Sequence, residues 1–221
     1  MNEVVLKRAT NNQQKEARRD AILDAARTLF LQSGFFDVNM ATIARQSGLA
    51  KGTVYLYFKT KEEIFLALST EELSAWLDEV DETLKRASSP HSVERLVDQL
   101  VDCIARRENM KRLASLLHLV LERNVSFEEA LTFKLGLKQR SEVTSRLIEK
   151  ALPFLKPGQG LDVLMQLHCY VVGWGQMSDP TPTLAEVLEH PDLKPFKIDF
   201  KEQLATSLTC FLYGLEALNR R

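Results

Sequence analysis

The chain has 221 residues, 45% of them hydrophobic and 27% charged, a size that allows one small and one medium domain with a substantial core. Its formal net charge of -1 taken alone argues against a nucleic-acid partner. The distribution argues the other way: residues 1–61 hold ten basic groups against five acidic, while the remainder holds 19 basic against 25 acidic.

Residues 1–14 read as a flexible basic arm. The first amphipathic helix follows in RRDAILDAARTLFLQSG, where Ile22, Ala25, Ala26, Leu29 and Phe30 fall at i, i+3, i+4, i+7 and i+8 and Gly34 supplies the C-cap. Met40 to Lys59, MATIARQSGLAKGTVYLYFK, then reads as a helix, a tight turn and a second helix. Asn39 is a good N-cap for the first of these. Ala44 lets the second helix approach, and Gly48 suits a left-handed turn. Leu49 and Val54 can pack back onto Ile43 and Ala44. This pattern places the second helix, Ala50 to Phe58, in a DNA major groove. Val54 and Phe58 supply its inward face, so at least one of Tyr55 and Tyr57 should face solvent. Lys51, Thr53, Tyr55 and Tyr57 offer a cation, a hydroxyl and two phenols to phosphates and base edges. The duller alternative makes the tyrosines packing residues and the lysines ordinary solvated ones.

Residues 18–66 resemble the DNA-binding domain of the TetR family of bacterial transcriptional regulators. The matching pieces are AILDAARTLFLQSGF and ATIARQSGLAKGTVYLYFKTKEEIF, with GTVYLYF followed by KTKEEIF the most diagnostic. The resemblance is strong over about the first third of the chain and is only a general layout of helices beyond it. It implies that Thr42, Lys51, Thr53, Tyr55, Tyr57 and Lys61 touch DNA, and that Gly52 lets backbone approach a phosphate. Leu56 departs from the pattern, since many relatives carry a polar or aromatic group there.

Past residue 61 the pattern is helix after helix, so the expected fold is all-α, about nine helices in two domains, 15–62 and 63–221. A long linking helix from about Lys61 to Arg86 carries Ile64, Phe65, Leu68, Leu73, Trp76, Leu77, Val80 and Leu84, and ASSPHS at 87–92 breaks it. Val93 to Ile104 and Leu113 to Leu121 mark two more helices. Ser126 is the expected N-cap of a helix reaching Leu152, punctuated by Pro153, Pro157 and Gly160. Residues 161–177 are apolar nearly all round, as in a buried helix. Four prolines make 178–199 irregular except for a short helix near Leu184 to Glu189. A last helix carries Leu204, Leu208, Phe211, Leu212, Leu215 and Leu218.

Other chemistry finds little support. Met1 to Asp20 is too polar for a signal peptide, and no apolar run approaches bilayer-spanning length, so the expected location is the cytoplasm with no membrane partner. Cys103, Cys169 and Cys210 are widely spaced, which fits a reducing compartment rather than a disulfide framework. His118, His168 and Cys169 lack metal-ligand spacing, and adjacent residues of a helix point about 100° apart, so neither metal nor cofactor is expected. No nucleophile elbow, phosphate loop or dinucleotide fingerprint points to an enzyme.

The resemblance implies a homodimer on a palindromic operator, released by a small-molecule effector that binds the helical body. The body helices from Leu161 and from Phe200 are expected to pair with their copies, with Leu208 and Leu212 at the seam. Phe133, Leu137, Met165, His168, Tyr170, Trp174 and Met177 either line an effector cavity or fill the core. Few positive groups fall on core-facing positions, so the expected effector is small and largely apolar; Lys134, Lys138 or Arg140 turning inward would instead hold a carboxylate. A second reading keeps the DNA-binding end and makes the body a protein-interaction platform. A cavity favours the sensor, a filled core the platform.

Overall fold

The structure is a computed structural model that describes residues 3–86 and 90–221, with side chains from residue 12 onward. It is all-α, with no strand among the described residues. The described residues form ten α-helices in chain order: α1 (Glu3–Ser33), α2 (Met40–Ser47), α3 (Lys51–Tyr57), α4 (Lys61–Lys85), α5 (Val93–Ala105), α6 (Glu108–Leu116), α7 (Phe127–Ala151), α8 (Gln159–Ser178), α9 (Pro182–Val187) and α10 (Phe200–Asn219). A π-helical turn, Leu117–Leu121, continues α6, and a 3-10 turn, Pro191–Phe196, precedes α10. No described helix is long and apolar enough to cross a membrane. The segment read as an arm is largely helical, since α1 begins at Glu3.

The chain divides into two compact units, Met1–Leu68 with Val120–Glu129, and Ser69–Leu119 with Ala130–Arg221. The division falls inside α4 rather than at residue 62, for a packing reason. Ile64, Phe65, Leu66 and Leu68 are buried, and the Phe65 ring meets Phe30 and Phe35 edge-on at 5.3 and 5.0 Å. The first two turns of α4 therefore complete the aromatic core of the first unit. The rest of that core is Ile22, Ala26, Val38, Ile43, Val54 and Phe58.

In the second unit, Trp76, Leu77 and Val80 of α4, the apolar face of α5, Val163, Leu167 and Val171 of α8, and Leu204, Leu208 and Leu212 of α10 form one cluster. Ser92 caps α5 by accepting from Arg95 N, and Ser126 accepts from Glu129 N at the start of α7, as its sequence position predicts. α10 packs on α5 and α8, and α6 packs on α8. Leu208 and Leu212 are fully buried inside the protomer, which removes them from the expected dimer seam. Their periodicity signals burial but says nothing of the partner surface.

Candidate nucleic-acid interface and effector cleft

The interface is built from local signals. The Asn39 side chain accepts from Ala41 N and Thr42 N, both at 3.0 Å, and Thr42 Oγ1 accepts from Asn39 N at 3.1 Å, a reciprocal capping box. Gly48, at φ 69°, ends α2; its N–H donates to Arg45 O and that of Leu49 to Ala44 O. Ala50 O then accepts from Thr53 N and Val54 N, and α3 begins at once. Val54 and Phe58 are buried and fix the roll of α3. That roll leaves Lys51, Gly52, Tyr55 and Leu56 exposed and Thr53 and Tyr57 half-buried. Lys51 Nζ lies 5.9 Å from the centroid of the Tyr55 ring, one helical turn away.

Two expected DNA contacts are also held inside the protein. Thr42 Oγ1 donates to Asn39 O at 2.8 Å while accepting from its N–H, so both hydroxyl roles serve the cap. Lys61 Nζ donates to Phe35 O at 2.9 Å and Val38 O at 3.0 Å, and lies 4.2 Å from the centroid of the Phe35 ring. It staples the loop between α1 and α2 to the start of α4. Nothing near Lys61 in sequence announces this, because its partners lie 23 and 26 residues away.

In the second unit, a cleft runs between Ser69, Glu72 and Leu73 of α4, Met110, Leu113 and Ala114 of α6, Leu117, and His168 of α8. Its volume is about 10 Å³, room for about one water. Of the seven expected effector residues, His168 alone is among those lining it. Phe133 is buried and Leu137 half-buried on α7, while Met165 and Met177 are exposed. Tyr170 and Trp174 pack against the main core, and Trp174 Nε1 donates to Ser207 Oγ of α10 at 3.0 Å. The structure does not gather these residues into one pocket, because α8 turns its faces to α6 and α10. The three cations considered for a carboxylate have other partners. Arg140 pairs with Asp78 and Asp81, at 2.7 and 2.9 Å; Lys138 pairs with Glu142, and Lys134 lies over the Phe133 ring.

His118 Nε2 lies 2.9 Å from His168 Nε2, with the rings at 83°, so one N–H···N bond ties the π turn to α8. Their separation of 50 positions hid this pair from any spacing rule. Glu79 accepts from Arg107 at 2.9 Å and Arg106 at 2.6 Å; the Arg107 hydrogen bond, above all, holds its carboxyl below the usual range. Cys103 donates to the same carboxylate, and burial first, then Glu79, pushes its thiol up to about 11, which makes it a poor nucleophile.

Residues 22–68 match the family description "Bacterial regulatory proteins, tetR family", and residues 70–219 match "Tetracyclin repressor-like, C-terminal domain". The chain belongs to the TetR family. Among relatives of this TetR-family chain, the fatty acid metabolism regulator protein of Bacillus subtilis is 30% identical over 98 residues, 44% of this chain and 50% of the relative. The regulator QacR of Staphylococcus aureus is 36% identical over 61 residues, 28% of this chain and 32% of the relative. The chain thus spans about half or less of the length of these curated relatives. Thermus thermophilus FadR, solved in complex with lauroyl-CoA, superposes with a TM-score of 0.58 at 20% identity, covering 89% of this chain and 94% of that one. FadR from Bacillus halodurans gives 0.55 at 20% identity, covering 87% and 94%. At that identity the two structures establish the fold alone, over nearly nine-tenths of the chain.

Proposed function

We propose that the protein is a DNA-binding transcriptional regulator, a homodimeric repressor released from a palindromic operator by a small, largely apolar effector. The observation that carries the DNA half is the orientation of α3. Val54 and Phe58 lock one face into the unit, which leaves Lys51, Tyr55 and Leu56 exposed to solvent, Leu56 opposite that face. A major groove admits a helix presented this way. In this reading Lys51 and Tyr55 reach the duplex directly, with Gly52, Thr53 and Tyr57 beside them. Thr42 and Lys61 support the reading chiefly by positioning α2 and the loop before it.

The effector half rests on the cleft at His168, whose lining is mostly apolar, with Ser69, Glu72 and the histidine as its polar members. The chain's fold neighbours include FadR proteins bound to lauroyl-CoA and stearoyl-CoA; their acyl chains are apolar, while CoA adds a polyanionic nucleotide that a small apolar effector lacks, so long-chain acyl-CoAs are the first class to test against that expectation. An effector that favours one body conformation and an operator that favours another weaken each other reciprocally. The near-closed cleft favours a second reading at one point, a body that serves as a protein-interaction platform.

One experiment separates these. Binding to the DNA upstream of its own gene should be strongly salt-dependent, and Lys51→Ala should lower the salt slope by about one per half-site. Lauroyl-CoA should raise the melting temperature and release the DNA together. Binding no better than to random duplex would remove the regulator reading, and specific binding untouched by any acyl-CoA would favour the platform.

A further inference from the structure

Leu56 is 83% exposed in the last turn of α3, one residue from its C-terminal end, on the face turned away from the core. At about 100° per residue, Val54 and Phe58 mark one side of the helix, and Leu56 lies nearly opposite their mean direction. Its neighbour one turn earlier on that outward face is Gly52, where an added Cβ would meet nothing within 4 Å. Thr53, the neighbour on the other flank, is half-buried. Leu56 therefore stands at the unshielded apex of the helix, between two tyrosines that can hydrogen-bond.

An isobutyl group can neither donate to nor accept from a base edge. Among the four base pairs, the major groove offers one apolar feature, the C5-methyl group of thymine. The geometry points to Leu56 as a specificity-determining residue that packs against a thymine methyl in each operator half-site. This inference rests on the DNA-binding reading above and adds to it a base identity at one position. The hydrogen-bonding groups around Leu56 then fix register and backbone, and Leu56 selects against cytosine, which lacks the methyl, and against purines, whose edges are polar there. Burying one methyl's worth of apolar surface predicts about a fourfold effect per half-site, and about tenfold or more across a palindrome.

The test starts from duplexes selected by the full-length protein out of random sequence. Each thymine of the recovered half-site is replaced in turn by deoxyuridine, which removes the methyl and keeps every hydrogen-bonding group. Wild type should lose about fourfold per half-site at one thymine position, and Leu56→Ala and Leu56→Ser should lose nothing further at that position. Both variants should keep the wild-type circular dichroism, since the side chain is exposed and alanine favours helix. Insensitivity of wild type to every uracil substitution would overturn the proposal. So would a methyl effect that survives in Leu56→Ala but disappears in Thr53→Ser, which would assign the contact to the threonine methyl. Failure to recover any specific duplex would overturn the DNA-binding reading itself, and this inference with it.

Discussion

Lys61 commits two of its three N–H donors to Phe35 O and Val38 O and rests its charge against the Phe35 ring. A lysine held this way acts on the shape of the reading head more than on phosphate charge. Lys61→Met, which keeps the stem and removes the donors, should lower the stability of the first unit by roughly 1–3 kcal/mol, the worth of charged hydrogen bonds to carbonyls. Its operator affinity should fall with little change in salt slope, whereas Lys51→Ala should change the slope and leave the melting temperature in place. Thermal melts and binding isotherms at several salt concentrations read both variants. A normal melt with a reduced slope in Lys61→Met would return that residue to the direct phosphate contacts. Thr42 follows the same logic, because its hydroxyl closes the cap of α2.

At the scale of elements, the start of α8 shows what a single missing carbon permits. Glu149 Oε1 accepts from Gly158 N at 2.8 Å and Gly160 N at 3.0 Å, placing an acidic side chain at the helix N-terminus. The approach is so close that a Cβ on Gly160 would sit 2.2 Å from Ser145 O and 2.7 Å from its Oγ. Gly160→Ala should cost about 2 kcal/mol or more, because backbone must shift. Gly136→Ala in α7, with nothing within 4 Å, should instead be neutral or stabilise by about 0.5–1 kcal/mol. Denaturant midpoints of the pair check this, and equal midpoints would mean α7 and α8 are not packed this tightly. Elements of this kind divide by range. The Asn39 cap, the Gly48 turn and the inward pair Val54 and Phe58 depend on neighbours within about ten residues, and sequence spacing was enough to place them. Gly160 against Ser145, Lys61 against Phe35 and His118 against His168 depend on where distant helices land. Which apolar residues face a cleft was not legible for that reason: an apolar helix such as α8 announces burial, while α6 and α10 decide which of its side chains, such as His168, line a cleft.

At the scale of the whole molecule, α8 and α10 leave a surface uncovered. Leu161, Met165, Cys169 and Gly173 are exposed on α8, and Cys210, Gly214 and Leu218 on α10, each series one turn apart. The two helices pack side by side, so the rows suit a seam where two copies form a four-helix contact. Gly173 and Gly214 have open space where a side chain would stand, which allows backbones to come close. Met165→Glu with Leu218→Glu should therefore give a folded monomer, because both residues are exposed in the protomer and their charge is costly only when a partner buries it. Leu208→Glu should behave differently and unfold the second unit, since that side chain is fully buried within one copy. Operator affinity of the monomer should fall by about 10²–10⁴, the loss expected when two linked half-site contacts become one. Light scattering, circular dichroism and a binding isotherm on the same samples decide it. A double variant that stays dimeric moves the seam to another face, and a monomer that keeps full operator affinity would show that one copy reads the DNA alone.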